Sequence, residues 1–308
     1  MRLGFMCAMA KNGICTIDEY IHEVQSAETM GFDQAWMAQV FSTDAISMLT
    51  LLGRETTTIR LGTAVTPSYP RHPTSMALQV LTASAASHGR FDLGLGVSHK
   101  AVTEDRFGIP YVKPAMHMRE YLEVLMPLVN GEPANFEGEE FKVHAKMNVP
   151  GAEPVPVLLA ALGPKMLEIA GTMADGTSTW MVGPRTLAAH TVPSIRKAAE
   201  QAGRSAPRVV AGVPIVLTND PEAAQSILAK KMSAYRHIPS YSKMLDREGV
   251  ESPAELALVG DEAELRGKLA QLKSIGVTDL NAFCMPVDEG AIERTMAFIA
   301  SEKSTLKD

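Results

Sequence analysis

Two hydrophobic periods alternate along this chain. Short runs that are apolar on both faces are each followed by a stretch with apolar residues three and four positions apart. The first pattern marks strands of a parallel sheet buried on both sides, the second the helices that cover it. Residues 2–6 open the chain as a strand. Thr16 and Glu19 have the T-x-x-E spacing of a capping box, and Ile17, Tyr20, Ile21, Val24, Ala27 and Met30 follow as a one-sided stripe. The same grammar predicts strands over 32–37, 59–65, 91–95, 155–160, 177–181, 209–217 and 277–283. Helices are predicted over 43–54, 75–87, 165–174, 186–202 and 288–300. Asp261 and Glu264 start another, striped by Leu265, Leu269, Leu272 and Ile275.

Glycines sit where a helix stops and a strand begins: Gly31, Gly89, Gly176 and Gly276. Such αβ joints are short. About eight strand–helix units in one chain, with no linker, match the size and order of a (β/α)8 TIM barrel, an α/β fold. An open doubly wound sheet is the rival, but its glycine-rich first turn is missing after Met6. Two regions break the rhythm. Residues 99–117 and 131–154 flank a helix over 118–129, and 219–258 reads as a helical insertion. Insertions after barrel strands cover the active-site face, so residues 1–308 are expected to form one domain with lids.

Composition narrows the function. With 29 Lys and Arg against 35 Asp and Glu, the net charge is −6, and aromatic residues make up 6%. Neither suits a nucleic-acid binder. The three cysteines, Cys7, Cys15 and Cys284, form neither a disulfide framework nor a C-x-x-C metal motif. The first twenty residues lack the long apolar stretch of a leader or membrane span. A cytoplasmic enzyme acting on small molecules, with no membrane or nucleic-acid partner, is the expectation.

In a barrel, chemistry sits just after the strands. There the chain offers Gln39, the segment from Thr63 to Pro73, Gly96 to Lys100, Leu162 to Lys165, and Met181 to Gly183. No carboxylate pair stands at two strand ends, no His/Asp/Glu set has metal spacing, and no G-x-S-x-G elbow occurs. Lys100 and Lys165 leave a Schiff-base enzyme conceivable. A mouth poor in acids and bases but rich in small residues suits a reaction performed by a cofactor. Gly94-Leu-Gly96 is half a dinucleotide fingerprint; it reads equally as close backbone approach to a ligand and as tight strand packing.

Longer motifs then accumulate. Ala27-Glu-x-x-Gly-Phe-Asp-x-x-Trp36, Gly62-Thr-Ala-Val-Thr-Pro-x-x-x-Arg-His-Pro73, Gly89-Arg-Phe-x-Leu-Gly-Leu-Gly96, Ala160-Ala-x-Gly-Pro164 and Ala174-Asp-Gly176 appear in order. Together they resemble the luciferase-like monooxygenase superfamily, and most its coenzyme F420-dependent oxidoreductases, similar to methylenetetrahydromethanopterin reductases. The resemblance implies a (β/α)8 barrel, usually a homodimer, with a deazaflavin at the C-terminal mouth of the strands. F420 is the implied cofactor and FMN the alternative.

The resemblance also implies a site. Ala64–Val65 matches a bulge with a non-prolyl cis peptide behind the ring. Val97, Ser98 and His99 match the segment beside ring and substrate. Ala161, Leu162 and Gly163 match the segment whose backbone faces the cofactor, and Met181 and Gln39 complete the cofactor-binding set. The chain departs from its relatives at Gln39, where several carry a histidine or acid, and at His99, where several carry glutamate. Gln39 can only hydrogen-bond, whereas His99 can titrate as a general acid; these two are the candidate catalytic residues, with no metal. His72 reads as a structural buttress, and Trp36 and Trp180 as core. The expected reaction is hydride transfer between reduced deazaflavin and a small organic substrate. The alternatives are an FMN-dependent monooxygenase and a non-catalytic flavin-binding relative. Apolar Met48, Leu49, Leu52, Met76 and Leu78 exceed one helical stripe and predict the dimer contact.

Overall fold

The computed structural model describes residues 1–8 and 14–307, Lys307 by its backbone alone. Its strands are β1 (Arg2–Met6), β2 (Gln34–Met37), β3 (Arg60–Thr63), β4 (Thr66–Pro67), β5 (Phe91–Gly96), β6 (Ala134–Glu137), β7 (Lys142–Ala145), β8 (Val157–Leu159), β9 (Gly176–Trp180), β10 (Arg208–Leu217), β11 (Leu258–Gly260) and β12 (Asp279–Cys284). The chain divides into two compact units. The first holds residues 1–36, 178–194 and 208–308, the second residues 37–177 and 195–207.

In the first unit the strands run β11, β10, β12, β1, β2, all parallel, with Arg2 opposite Asp279 and Phe5 opposite Ala282. The helix Ile17–Met30 follows β1. It carries the expected capping box, with Glu19 N donating to Thr16 Oγ1 and Thr16 N to Glu19 Oε2. It closes on Gly31 at φ 90°, and the helix Glu262–Ile275 closes likewise on Gly276 at φ 106°. Trp36 is fully buried against Gly4, where a side chain would stand 2.7 Å from the indole nitrogen. Trp36 is core, as expected, whereas Trp180 is half-buried against the apolar cluster, its ring tilted on Phe283 at 4.0 Å. Asp279 is fully buried and held by Arg2 at 2.7 Å and Arg208 at 2.9 Å.

In the second unit the order is β3, β5, β8 and the first two residues of β9, again parallel. The helices Ala45–Glu55 and Pro73–Ala86 pack together, and Pro114–Val129 packs on the latter. Met48, Leu49, Leu52 and Met76 lie inside this packing, each at most 1% exposed. Their excess of apolar surface is therefore absorbed within the unit. Of the five predicted dimer residues only Leu78 reaches solvent, at 46%, joined by Leu51 at 45%.

Two elements depart from the sequence reading. The stretch 131–154 contains an antiparallel hairpin, β6 with β7. Residues 258–260 form a short strand that extends the sheet beside the end of β10. Among the described residues no helix is long and apolar enough to cross a membrane.

Candidate functional site

The predicted strand over 59–65 breaks at its end. Partners of β3 on β5 run thirty residues ahead, Leu61 to Phe91 and Gly62 to Asp92, but after the break they run twenty-nine ahead, Thr66 to Leu95 and Pro67 to Gly96. One extra residue is thus inserted, a bulge. Thr63 fills the gap in the ladder with its side chain: the hydroxyl donates to Gly94 O at 2.7 Å and accepts from Gly94 N at 2.9 Å. The Ala64–Val65 peptide bond is cis, as the resemblance implied.

Gly94 and Gly96 let this bulge lie flat on β5. A Cβ on Gly94 would stand 1.9 Å from Thr63 O. One on Gly96 would stand 2.9 Å from Val65 Cγ2 and 3.1 Å from Ala160 Cβ. Val65, Gly96 and Ala160 therefore touch side by side at the strand ends, so the packing reading of these glycines holds. Ala64 N donates to Met37 O at 2.9 Å, which brings in the end of β2, two residues before Gln39. Ala64, Val65, Val97, Ser98, His99, Ala160, Leu162 and Gly163 are all half-buried, a shelf of mostly small side chains at one edge of the second unit. Ala161 is fully buried between them.

Ser98 stands at φ 61°, a left-handed conformation that costs a non-glycine residue energy and persists only where the surroundings enforce it. His99 follows. Burial pushes its imidazole below the ordinary histidine value, so it is neutral at pH 7. Its carbonyl accepts from Thr103 N at 2.9 Å and starts a π-turn, Val102–Arg106. Gln39 is committed locally: Oε1 accepts from Ala45 N at 2.9 Å and caps the start of the helix Ala45–Glu55. Asp44 caps the same helix through Ser47 N and pairs with Arg71 at 2.5 Å, tying the loop after β2 to the loop after β4. His72 is the N-cap of the helix Pro73–Ala86, accepting from Thr74 N, which is the structural role expected of it.

The helix Pro164–Met173 starts at Gly163 with no side-chain cap and nothing within 4 Å of the place a Cβ would take. Its first-turn N–H groups take no side-chain cap, the arrangement that suits an anionic group. Met181 belongs to the first unit. It stands at φ 59°, its side chain 1% exposed within an apolar cluster that includes Val216, Leu228 and Leu245. A pocket of about 560 Å³ in that unit, lined by Leu217, Thr218, Asn219, Asp261, Glu262, Ala263 and Arg294, shares no residue with the predicted set.

Sequence reasoning missed one buried chain of groups behind the shelf. Ser68, fully buried and donating its N–H to Gly96 O at 2.8 Å, lies 2.9 Å from His117 Nε2. His117 Nδ1 lies 2.6 Å from Glu140 Oε1, and its ring stacks on Tyr69 at 4.0 Å and 4°. Glu120, one turn along the helix, accepts from the N–H groups of Glu139, Glu140 and Phe141. The hairpin is thereby fastened to the floor of the shelf. Only an isolated histidine on an apolar helix face hinted at this.

Comparison with known proteins follows the same lines. The sequence model of the luciferase-like monooxygenase family matches residues 1–279. A 5,10-methylenetetrahydromethanopterin reductase of Methanopyrus kandleri is 30% identical over 309 aligned positions, covering 93% of this chain and 83% of that protein. The reductase of the same name from Archaeoglobus fulgidus is 38% identical over 161 positions; that match spans 51% of this chain and 48% of the relative. The solved structure of a coenzyme F420-dependent tetrahydromethanopterin reductase from Methanopyrus kandleri superposes with a TM-score of 0.78 at 23% identity, covering 99% of this chain and 98% of that one. The expected TIM-barrel fold is borne out.

Proposed function

Since the chain belongs to the luciferase-like monooxygenase family and is an oxidoreductase, we propose that it works with coenzyme F420, exchanging hydride with a small organic substrate. The observation that carries this is the shelf itself: a bulged β3–β4 edge at Ala64–Val65, with Val65, Gly96 and Ala160 side by side. The residues present fit a flat heterocycle. The side chains of Ala64, Val65 and Ala160 are small and apolar, the glycines beneath are closely packed, and the helix Pro164–Met173 begins without a side-chain cap, which suits an anionic substituent.

The deazaflavin would supply the hydride chemistry, which no side chain here can provide. The chain's own task is positional. Val65 and Ala64 set the floor, and Thr63 fixes the bulge through its two hydrogen bonds to Gly94. Val97, Ser98 and His99 edge the shelf, and Ser98 is locked in one strained conformation, which preorganises the loop. His99, neutral at pH 7, accepts or donates one hydrogen bond and becomes a proton donor only after it has been protonated. Gln39 acts through its backbone and its cap on the helix Ala45–Glu55, with Nε2 donating to Val40 O at 3.2 Å. The chain is further proposed to pair as a homodimer through the face bearing Leu51 and Leu78, which light scattering would test.

An FMN-dependent monooxygenase is the second reading, favoured by the family's name and by an FMN-bound solved structure of the same fold. Titration separates the two. Quenching of F420 fluorescence by the protein, followed by bleaching or recovery of its absorbance with substrate, is the expected outcome. Micromolar binding of FMN with no binding of F420 would overturn the proposal.

A further inference from the structure

Two loops of the second unit meet through aromatic rings beside the shelf. Phe41 lies two residues beyond Gln39, in the loop after β2, and is 68% exposed. Its ring packs on that of Phe107, the residue that ends the π-turn begun at His99, with centroids 5.6 Å apart. The Arg106 guanidinium lies over the Phe41 ring, 5.7 Å from its centre. Val40 beside it is 44% exposed. Among the described residues Arg106 makes no ion pair, so its donor fork keeps its capacity for an anion.

An exposed ring costs hydration free energy that burial against an apolar ligand recovers. An unpaired guanidinium over a ring face recognises a carboxylate in its own plane while the ring supplies the apolar contact. Continuity with the shelf runs through the backbone on both sides: Gln39 to Phe41 on one loop, and Ser98, His99 and Thr103 to Phe107 on the other.

We propose that Phe41, Arg106 and Phe107 form a substrate-recognition clamp that selects planar organic acids: a flat apolar body laid on the exposed side of the paired rings and a carboxylate on Arg106. The inference deepens the proposed oxidoreductase reading, naming its substrate class, and its test reads binding rather than turnover.

The probes are 2-naphthoate and its neutral counterpart 2-naphthalenemethanol, titrated calorimetrically into the full chain. The acid is expected to bind the more tightly. Arg106→Gln should weaken the acid about fivefold and leave the alcohol unchanged, as loss of one partly exposed charge pair predicts. Phe41→Ala should weaken both about equally. Phe41 and Arg106 are exposed, so both variants are expected to keep the native Tm. Equal binding of acid and alcohol by the unaltered protein, or an Arg106→Gln variant that still prefers the acid, would overturn the clamp. So would a change of oligomeric mass by light scattering in either variant, which would give the patch to a second copy. F420 titration of the same variants keeps the two readings apart. Unchanged F420 affinity supports the clamp, whereas an equal loss of F420 affinity in Arg106→Gln assigns the arginine to the cofactor and refutes it. An Arg106-dependent preference for naphthoate in a protein that binds no F420 upholds the clamp and removes only the cofactor.

Discussion

Two alanine substitutions, two residues apart on β5, test whether the bulge is as tight as described. At Gly94 the new methyl would stand 1.9 Å from the carbonyl oxygen of Thr63. An ordinary carbon–oxygen contact needs more than 3 Å, so backbone must move by over an ångström, and Thr63 would lose both hydrogen bonds to Gly94. Strain of that kind, with two buried bonds broken, exceeds about 4 kcal/mol. At Gly96 the new methyl would meet the end of a valine at 2.9 Å and another methyl at 3.1 Å. A few tenths of an ångström of adjustment suffice, and overpacking of that size costs about 1–3 kcal/mol. For a chain of this length 1 kcal/mol corresponds to about 1.5 °C in Tm. Gly96→Ala should therefore lower the midpoint by about 2–5 °C and remain folded, with F420 affinity reduced because Val65 is displaced. Gly94→Ala should fail to accumulate as folded protein or melt far lower. Differential scanning fluorimetry with circular dichroism reads both. A Gly94→Ala protein as stable as the parent, or less affected than Gly96→Ala, would refute the geometry of the bulge.

Other consequences are equally direct. Burial lifts the Glu23 carboxyl from 4.5 to about 7, with Ala8 N as its hydrogen-bond donor. Its folded pKa is raised, so its contribution is full below pH 4.5 and is lost as pH climbs through 7; relative to Glu23→Gln the parent should lose about 3 kcal/mol across that window in urea titrations, and parallel curves for the two would count against it. Arg90 donates to the carbonyls of Gly53, Thr56 and Ile59 and to Thr56 Oγ1. A lysine cannot reproduce that fan, and Arg90→Lys should cost about 2–3 kcal/mol by chemical denaturation. Because His99 is held below its usual value of 6.5, an acid limb in the rate profile that it governs lies below pH 6.5 and should vanish in His99→Gln; an unmoved limb would show that another group titrates.

Much of the architecture was legible because each element states its period more than once. The capping boxes at Thr16 and Asp261, the glycine stops at Gly31 and Gly276, and the doubly apolar strands agree with one another. What periodicity alone could not show is physically specific. The bulge, which the family resemblance placed at Ala64–Val65, reads by pattern as unbroken strand, since Gly62 to Pro67 is apolar or β-branched throughout and no residue type marks an inserted position. Strand β11 has three residues, too few to display alternation. The hairpin β6–β7 buries little of either strand, so its pattern is mostly polar. Met48, Leu49, Leu52 and Met76 look like surplus apolar surface until two helices close over them. Of the site, the shelf segments could be located by motif, but that Gln39 would spend its amide on Ala45 could not. Nor could the partnership of Ser68, His117 and Glu140, whose members lie 49 and 23 residues apart.

The change of register between β3 and β4 has a further effect. Side chains along a strand point alternately to opposite sides, and one supernumerary residue inverts that parity for everything downstream. Residues past Val65 thus swap sides relative to an uninterrupted strand, which lets Ser68 reach back to His117 while Val65 stays at the rim. A deletion of one residue at the kink would straighten the edge and also turn that whole segment inside out.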